Sequence, residues 1–206
     1  AIDNGHLFSG HDTVYITFTV DSIKYKYSYN GAQTSVVATD FAPNGVIFAD
    51  DAVVRLKGEV KGVYSVAASG SGDKGTIYLD DDIFYHSDPC TNPSSTDLLG
   101  ILAKNDVWIT DNPQNNNNNS ITIQGSVYCE LGGFGAQNYG TRSISGNINL
   151  LGGIIQNIRR AVGTFGGSGI NHGFAKRYYY DSRLLKVAPP VFPSTKGKFK
   201  VISWYE

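Results

Sequence analysis

With 24 Gly, 13 Tyr and 10 Phe among 206 residues and 41% hydrophobic content, the chain has an all-β composition and enough length for one good core. Its 17 basic and 18 acidic side chains leave a net charge of −1, and no Lys/Arg run is long enough for the electrostatic footprint of a nucleic-acid binder. No segment approaches the ~18 apolar residues of a membrane span, the opening AIDNGHLFSG is not a signal peptide, and the absence of Met points to a processed chain or an excised fragment.

Residues 12–30 alternate, with Val14, Ile16 and Phe18 on one face and Ile23, Tyr25, Tyr27 and Tyr29 continuing after a break, which predicts a β-hairpin. Its tyrosines suit either a half-buried sheet or a surface that stacks on carbohydrate or protein. Residues 31–45 form an entry loop. From 48 to 157, five nine-residue segments can be set in register: FADDAVVRL (48–56), YLDDDIFYH (78–86), LAKNDVWIT (102–110), TIQGSVYCE (122–130) and NLLGGIIQN (149–157). Each reads as strand, tight corner, strand. Their second column is apolar and their sixth is Val53, Ile83, Val107, Val127 and Ile154, predicting one inward ladder with Trp108 on the opposite face.

Starts 30, 24, 20 and 27 residues apart fit the coils of a solenoid, in which stacking about 4.8 Å apart lines the apolar columns into one core. The expected fold is therefore an all-β, single-stranded, right-handed parallel β-helix with a β-hairpin near the N-terminus and an irregular C-terminal cap. The competing arrangement is a β-sandwich with uneven hairpins, which does not require the same corner residues in successive units. One domain, 1–206, divides into hairpin and entry loop (1–45), repeat coils (46–157) and cap (158–206). Between the repeats, 60–75 supplies a further strand, 95–99 one helical turn capped by Ser95 or Thr96, 111–120 an exposed Asn-rich loop, and the glycines of 131–147 a wide turn. The tail KFKVISWYE (198–206) reads as a strand that covers the open end of the solenoid.

Candidate chemistry is sparse. β-Helices also carry polysaccharide lyases and glycosidases, and the register above sets Asp82 and Asp106 ~5 Å apart, near the spacing of retaining glycosidase carboxylates. The competing explanation is that Asp and Asn occupy these columns because they suit corners and bond nearby amides, and Asp51 in the adjacent column favours it. His86, Ser87 and Asp88 are consecutive and cannot form a hydrolytic triad unaided, and His172 lacks any supporting motif. KRYYYDSR (176–183), with Arg177, Tyr178, Tyr179, Tyr180 and Arg183, suits acidic glycans or a partner protein, or else packs the cap onto the last coil. Cys90 and Cys129 fit one disulfide or two free thiols, and no metal-ligand spacing or cofactor motif is present.

Five strings carry a resemblance: DLLGILAKNDVWITDN (97–112), SITIQGSVYCELGGFGAQNYG (120–140), GGIIQNIRRAVGTF (152–165), SGINHGFAKRYYYDSRLL (168–185) and PPVFP (189–193) before ISWYE. In this order they resemble an uncharacterised family of β-helical bacterial envelope domains found in proteins with a pilin-like N-terminus of the PilX type. The resemblance implies an exported chain at the cell surface, outer envelope or periplasm, acting as a non-catalytic structural or adhesive module of a surface or pilus-associated assembly. Its partners would be other surface or pilus proteins or extracellular polysaccharide, without a cofactor, and an oxidising envelope would favour a Cys90–Cys129 bond. No catalytic residue carries over, and the chain departs from the family in its Tyr-rich hairpin and in lacking a pilin-like helix. The alternative function is a carbohydrate-active enzyme or glycan-binding β-helix.

Overall fold

The computed structural model describes residues 3–167 and 169–193. They form an almost all-β fold whose mostly parallel sheet curls about 300° around an axis, with an antiparallel hairpin near the N-terminus. In chain order the elements are β1 (His6–Phe8), β2 (Thr13–Phe18), β3 (Ser22–Lys26), β4 (Thr34–Val37), α1 (Ala38–Phe41), β5 (Val46–Ala49), β6 (Val53–Val60), β7 (Val63–Ala68) and β8 (Ile77–Tyr85). They continue with β9 (Leu98–Ala103), β10 (Val107–Ile109), β11 (Ile121–Cys129), β12 (Phe134–Ala136), β13 (Ile144–Gln156), β14 (Gly163–Gly166) and β15 (Gly169–Tyr180).

Three parallel ladders make three walls. The first stacks β2, the leading half of β6, the leading half of β8, β10 and β12. The second stacks the trailing halves of β6 and β8, then the leading parts of β11 and β13, and β15. The third stacks β1, β5, β7, β9 and the trailing parts of β11 and β13.

Period-2 alternation turns these walls into a core. On the first wall Val14, Val54, Ile77, Val107 and Phe134 form one buried column, and Ile16, Leu56, Leu79, Ile109 and Ala136 a second. On the third wall Ile47, Val66, Ile101 and Val127 are fully buried and lead to half-buried Ile154. Each such aliphatic side chain contributes ~1.5–3 kcal/mol on burial, and stiff β-branched chains repeat along a column with little further entropy loss. Beside them Ala49, Ala68, Ala103 and Cys129 form a column of small residues, where the coil narrows at its corner.

The five nine-residue segments do not share one register. Only Val127 and Ile154 are level with each other, as expected; Val53 is level with Thr13, Ile83 with Gly58 and Ile123, and Val107 with Ile77 and Phe134. The physical reason is that a three-sided coil has three kinds of corner. Segments 48–56 and 102–110 turn from the third wall to the first, 78–86 from the first to the second, and 122–130 and 149–157 from the second to the third. Small or acidic residues mark every one of them, so matching corners superposed different walls. The corner at Gly152 is the most demanding: its φ is +153°, and a Cβ there would collide with the backbone of Gly125 one rung earlier.

The coils reach beyond 46–157. The expected hairpin is β2–β3, but β2 is also the first rung, lying parallel to β6, and β15 is a further parallel rung on β13. The N-terminal end is closed by β3, β4 and α1, with His6, Phe8, Tyr25 and Phe41 packed ring against ring. Residues 95–99 are not a helical turn: Leu98 begins β9, and buried Asp97 accepts the amides of Gly62 and Ser87. The Gly-rich stretch 131–147 contains buried β12 and the start of β13. The tail strand expected at 198–206 lies outside the described residues.

Candidate functional site

An apolar residue, an outward residue and a second apolar residue recur on the first wall: Val14-Tyr15-Ile16, Val54-Arg55-Leu56, Ile77-Tyr78-Leu79, Val107-Trp108-Ile109 and Phe134-Gly135-Ala136. The pleat that buries the outer members aims the middle ones at solvent, so Tyr15, Arg55, Tyr78 and Trp108 stand one above another. At ~4.8 Å per rung the column from Tyr15 to Gly135 runs for about 20 Å.

Cations and rings alternate along it. Lys26 sits 5.3 Å from the Tyr15 ring centroid, Arg55 lies between Tyr15 (5.5 Å) and Tyr78 (5.4 Å), and Arg160 covers Trp108 at 5.6 Å. Each contact stabilises by about 0.5–1 kcal/mol and holds the rings in a fixed attitude. Carboxylates hold the cations in turn. Arg55 Nε donates to Asp80 at 2.9 Å, and Thr110 donates to the same carboxylate at 2.7 Å. Arg160 makes two hydrogen bonds to Asp106, at 2.9 and 3.2 Å.

At the downstream end the column opens into a cleft of about 520 Å³ lined by Trp108, Ala136, Gln137, Asn138, Tyr139, Gly140 and Thr141. Gly135 permits this: a Cβ there would lie 2.6 Å from the Trp108 ring, so only the bare backbone lets the indole lie across the rung. Asp111 behind the cleft accepts from Asn116 and from Asn138. Although burial opposes ionisation, those hydrogen bonds and the nearby Arg142 charge hold its carboxyl below the ordinary range. A second cleft, about 640 Å³, lies between Val63, 93–98 and 182–188.

The acids singled out from sequence are not brought together. Asp106 is level with Gly133, whose amide it accepts at 2.7 Å, and it is paired with Arg160. Asp82 lies on the bend between the first and second walls, where it accepts the Thr122 amide at 2.7 Å. Ile77 is the residue of β8 level with Val107, so Asp106 is separated from Asp82 by the length of a strand segment. Burial raises the Asp82 carboxyl above its ordinary value, opposed by the Thr122 amide and reinforced by Asp81. Both acids serve corners.

Both cysteines are free in this structure, Cys90 exposed in the 86–97 loop and Cys129 buried in the small-residue column of the third wall. Cys90 borders Leu151 and Tyr180, whereas Cys129 ends β11 beside Val107 and Arg160. Burial pushes the Cys129 thiol up to about 12.

The KRYYY stretch is the last parallel rung among the described residues. Tyr178 is level with Leu150 yet stays 39% exposed; it meets Phe134 edge-on at 6.5 Å, and partial burial pushes its phenol up to about 12. Arg177, Tyr179 and Tyr180 are exposed. Arg183 is committed to the interior: it pairs with buried Asp181, donates to the Ser95 carbonyl at 2.9 Å and lies 5.2 Å from the Tyr85 centroid. No helix among the described residues is long and apolar enough to cross a membrane, and among them no three His, Cys, Asp or Glu side chains group as metal ligands.

The sequence reading missed Tyr15, Arg55, Tyr78, Trp108, Arg160 and Tyr139 as a set. The signal was present in the five apolar-X-apolar triplets, which corner matching passed over. Compared with family models, curated proteins and solved structures, the chain matches none.

Proposed function

We propose that the chain is a non-catalytic structural and adhesive module of an exported, surface or pilus-associated assembly, and that it engages its target through the outward column of the first wall. The observation that carries this reading is the column itself: Tyr15, Arg55, Tyr78 and Trp108 are held in line by ion pairs to Asp80 and Asp106. Rigid, amphipathic rings offer contact area at low entropic cost, as binding surfaces require. Of the two acids that a hydrolase or lyase would need free, Asp106 is paired with Arg160 and Asp82 accepts the Thr122 amide. The resemblance of the second half to bacterial envelope domains supports an exported location.

Incubation with a panel of polysaccharides, monitored for new unsaturated or reducing ends, tests the reading. The expected result is no turnover. Turnover that is lost in Asp82→Asn or Asp106→Asn proteins would replace it with a carbohydrate-active enzyme.

A further inference from the structure

We infer that the Trp108–Tyr139 cleft is a subsite for a neutral pyranose within a polysaccharide chain, with Trp108 as the stacking platform and Gln137, Asn138 and Thr141 reading the hydroxyls. This rests on the reading of the chain as a binding module and adds the place and the ligand class.

Three observations converge on it. The first is shape: about 520 Å³ is within the range of small-ligand clefts, and its lining combines two aromatic rings with a few polar groups. A pyranose has the matching duality, a flat C–H face and a rim of hydroxyls, and aromatic faces with polar neighbours are complementary to both.

The second is hydrogen-bonding capacity. Asp111 fixes both amides, since its backbone N–H donates to Gln137 Oε1 at 3.1 Å and its carboxylate accepts from Asn138 Nδ2 at 2.8 Å. The chemistry of those partners settles which way each amide points. The Gln137 amino group and the Asn138 carbonyl are left without a protein partner among the described residues. One donor and one acceptor, each on a restrained side chain, are what orientation of a sugar hydroxyl pair needs.

The third is charge. The cleft has no basic residue in its lining, the carboxylate behind it is held ionised, and both guanidiniums of the adjoining column are neutralised by Asp80 and Asp106. Arg142 beside Asp111 is buried and committed to the carbonyls of Ile109, Thr110, Asn115 and Gln137, so an acidic sugar would meet the Asp111 carboxylate with no cation in the lining to pair with, and the site discriminates in favour of an uncharged one. The column of Tyr78, Arg55 and Tyr15 continues from the cleft along the axis, giving the rest of a linear chain a surface to follow.

Affinity electrophoresis of the 206-residue chain in native gels containing a neutral glucan, mannan or galactan, or polygalacturonate, tests the inference. Retardation by at least one neutral polymer is expected, weakened about five- to twelvefold in Trp108→Ala, since loss of one aromatic platform is worth ~1–1.5 kcal/mol. Tyr139 is exposed on its loop, so Tyr139→Ala provides a variant whose fold is not at stake, checked by an unchanged melting temperature. Equal mobility in all neutral gels, retardation by polygalacturonate alone, or unaltered retardation of the Tyr139→Ala and Trp108→Ala proteins would each overturn the subsite. Release of new ends with retardation intact would instead overturn the non-catalytic reading and leave the cleft standing.

Discussion

The guanidinium of Arg142 donates to the main-chain carbonyl of Asn115 at 2.9 Å, tying two successive loops of the β-helix together from inside. Arg142 is buried, reaches the carbonyls of Ile109, Thr110 and Gln137 and the Asn116 side chain as well, and lies 4.7 Å from the Phe174 centroid. Burial lowers its pKa, opposed by Asp111. Arg142→Met keeps the length but strands several buried carbonyls, and at ~1–3 kcal/mol for a stranded group the loss should reach about 3 kcal/mol or more in chemical unfolding. Arg142→Lys should recover little, because three donors on one nitrogen cannot serve acceptors spread across a planar fork.

Val107 is central in its buried column, so Val107→Asp places an unpaired carboxylate in the core and should cost several kcal/mol or prevent folding. Trp108→Ser faces outward and should cost ~1–2 kcal/mol through lost contacts with Arg160 and the rung of Gly135. Unfolding midpoints of the two proteins check the order; a stable Val107→Asp protein would mean that the faces are reversed.

Adjacent glycines offer a sharper test of the corner. Gly152→Ala adds a Cβ against the backbone of Gly125 at φ +153° and should destabilise by ~3 kcal/mol or more, while Gly153→Ala meets nothing within 4 Å and should be neutral or stabilising by ~0.4–1 kcal/mol. Equal melting temperatures for the two variants would remove the steric account.

The buried Cys129 thiol gives alkaline stability a definite sign. Its folded pKa, about 12, is raised above the ordinary value of 9.0, so its contribution is complete below pH 9 and is lost as pH rises toward 12. By pH 10 that loss is on the order of 1 kcal/mol relative to pH 8. Cys129→Ala continues the Ala49, Ala68, Ala103 column and should abolish this part of the slope, leaving the tyrosine contributions at higher pH. Unfolding at pH 8 and pH 10 measures both slopes.

Thiol titration separates the two cysteines. The native protein should show one reactive thiol, Cys90, slowed because burial and Asp88 raise its pKa, and a second only on denaturation. Unreactive thiols in the unfolded, unreduced protein would mean a bridge.

The β-helix itself was legible, since stacked corners and alternating apolar residues mark coils that cannot bury themselves alone. The register was legible only where two successive coils turn the same corner, as at Val127 and Ile154. Elsewhere the loops between β8 and β9 and between β10 and β11 vary the coil length, which defeats a fixed-period alignment. The Asn tract shows a second limit. Asn115 is buried and bonds to the carbonyls of Leu79 and Thr110, while Asn117 and Asn118 take left-handed conformations on the surface. Five identical letters thus hold different roles, two of them, Asn115 and Asn116, through contacts with Arg142 far along the chain. The aromatic column was readable in the triplets, whereas the cleft beside it depended on Gly135 and on a loop whose path the sequence does not announce.

The three ladders also determine how the molecule bears force. Their hydrogen bonds lie along the axis, so tension applied end to end opens the rungs in series and yields at the weakest one. Tension across the axis instead shears many bonds of a strand at once. A target bound along the first wall would therefore load the fold sideways, in its strong direction, and the loop staple at Arg142 would share that load between adjacent coils.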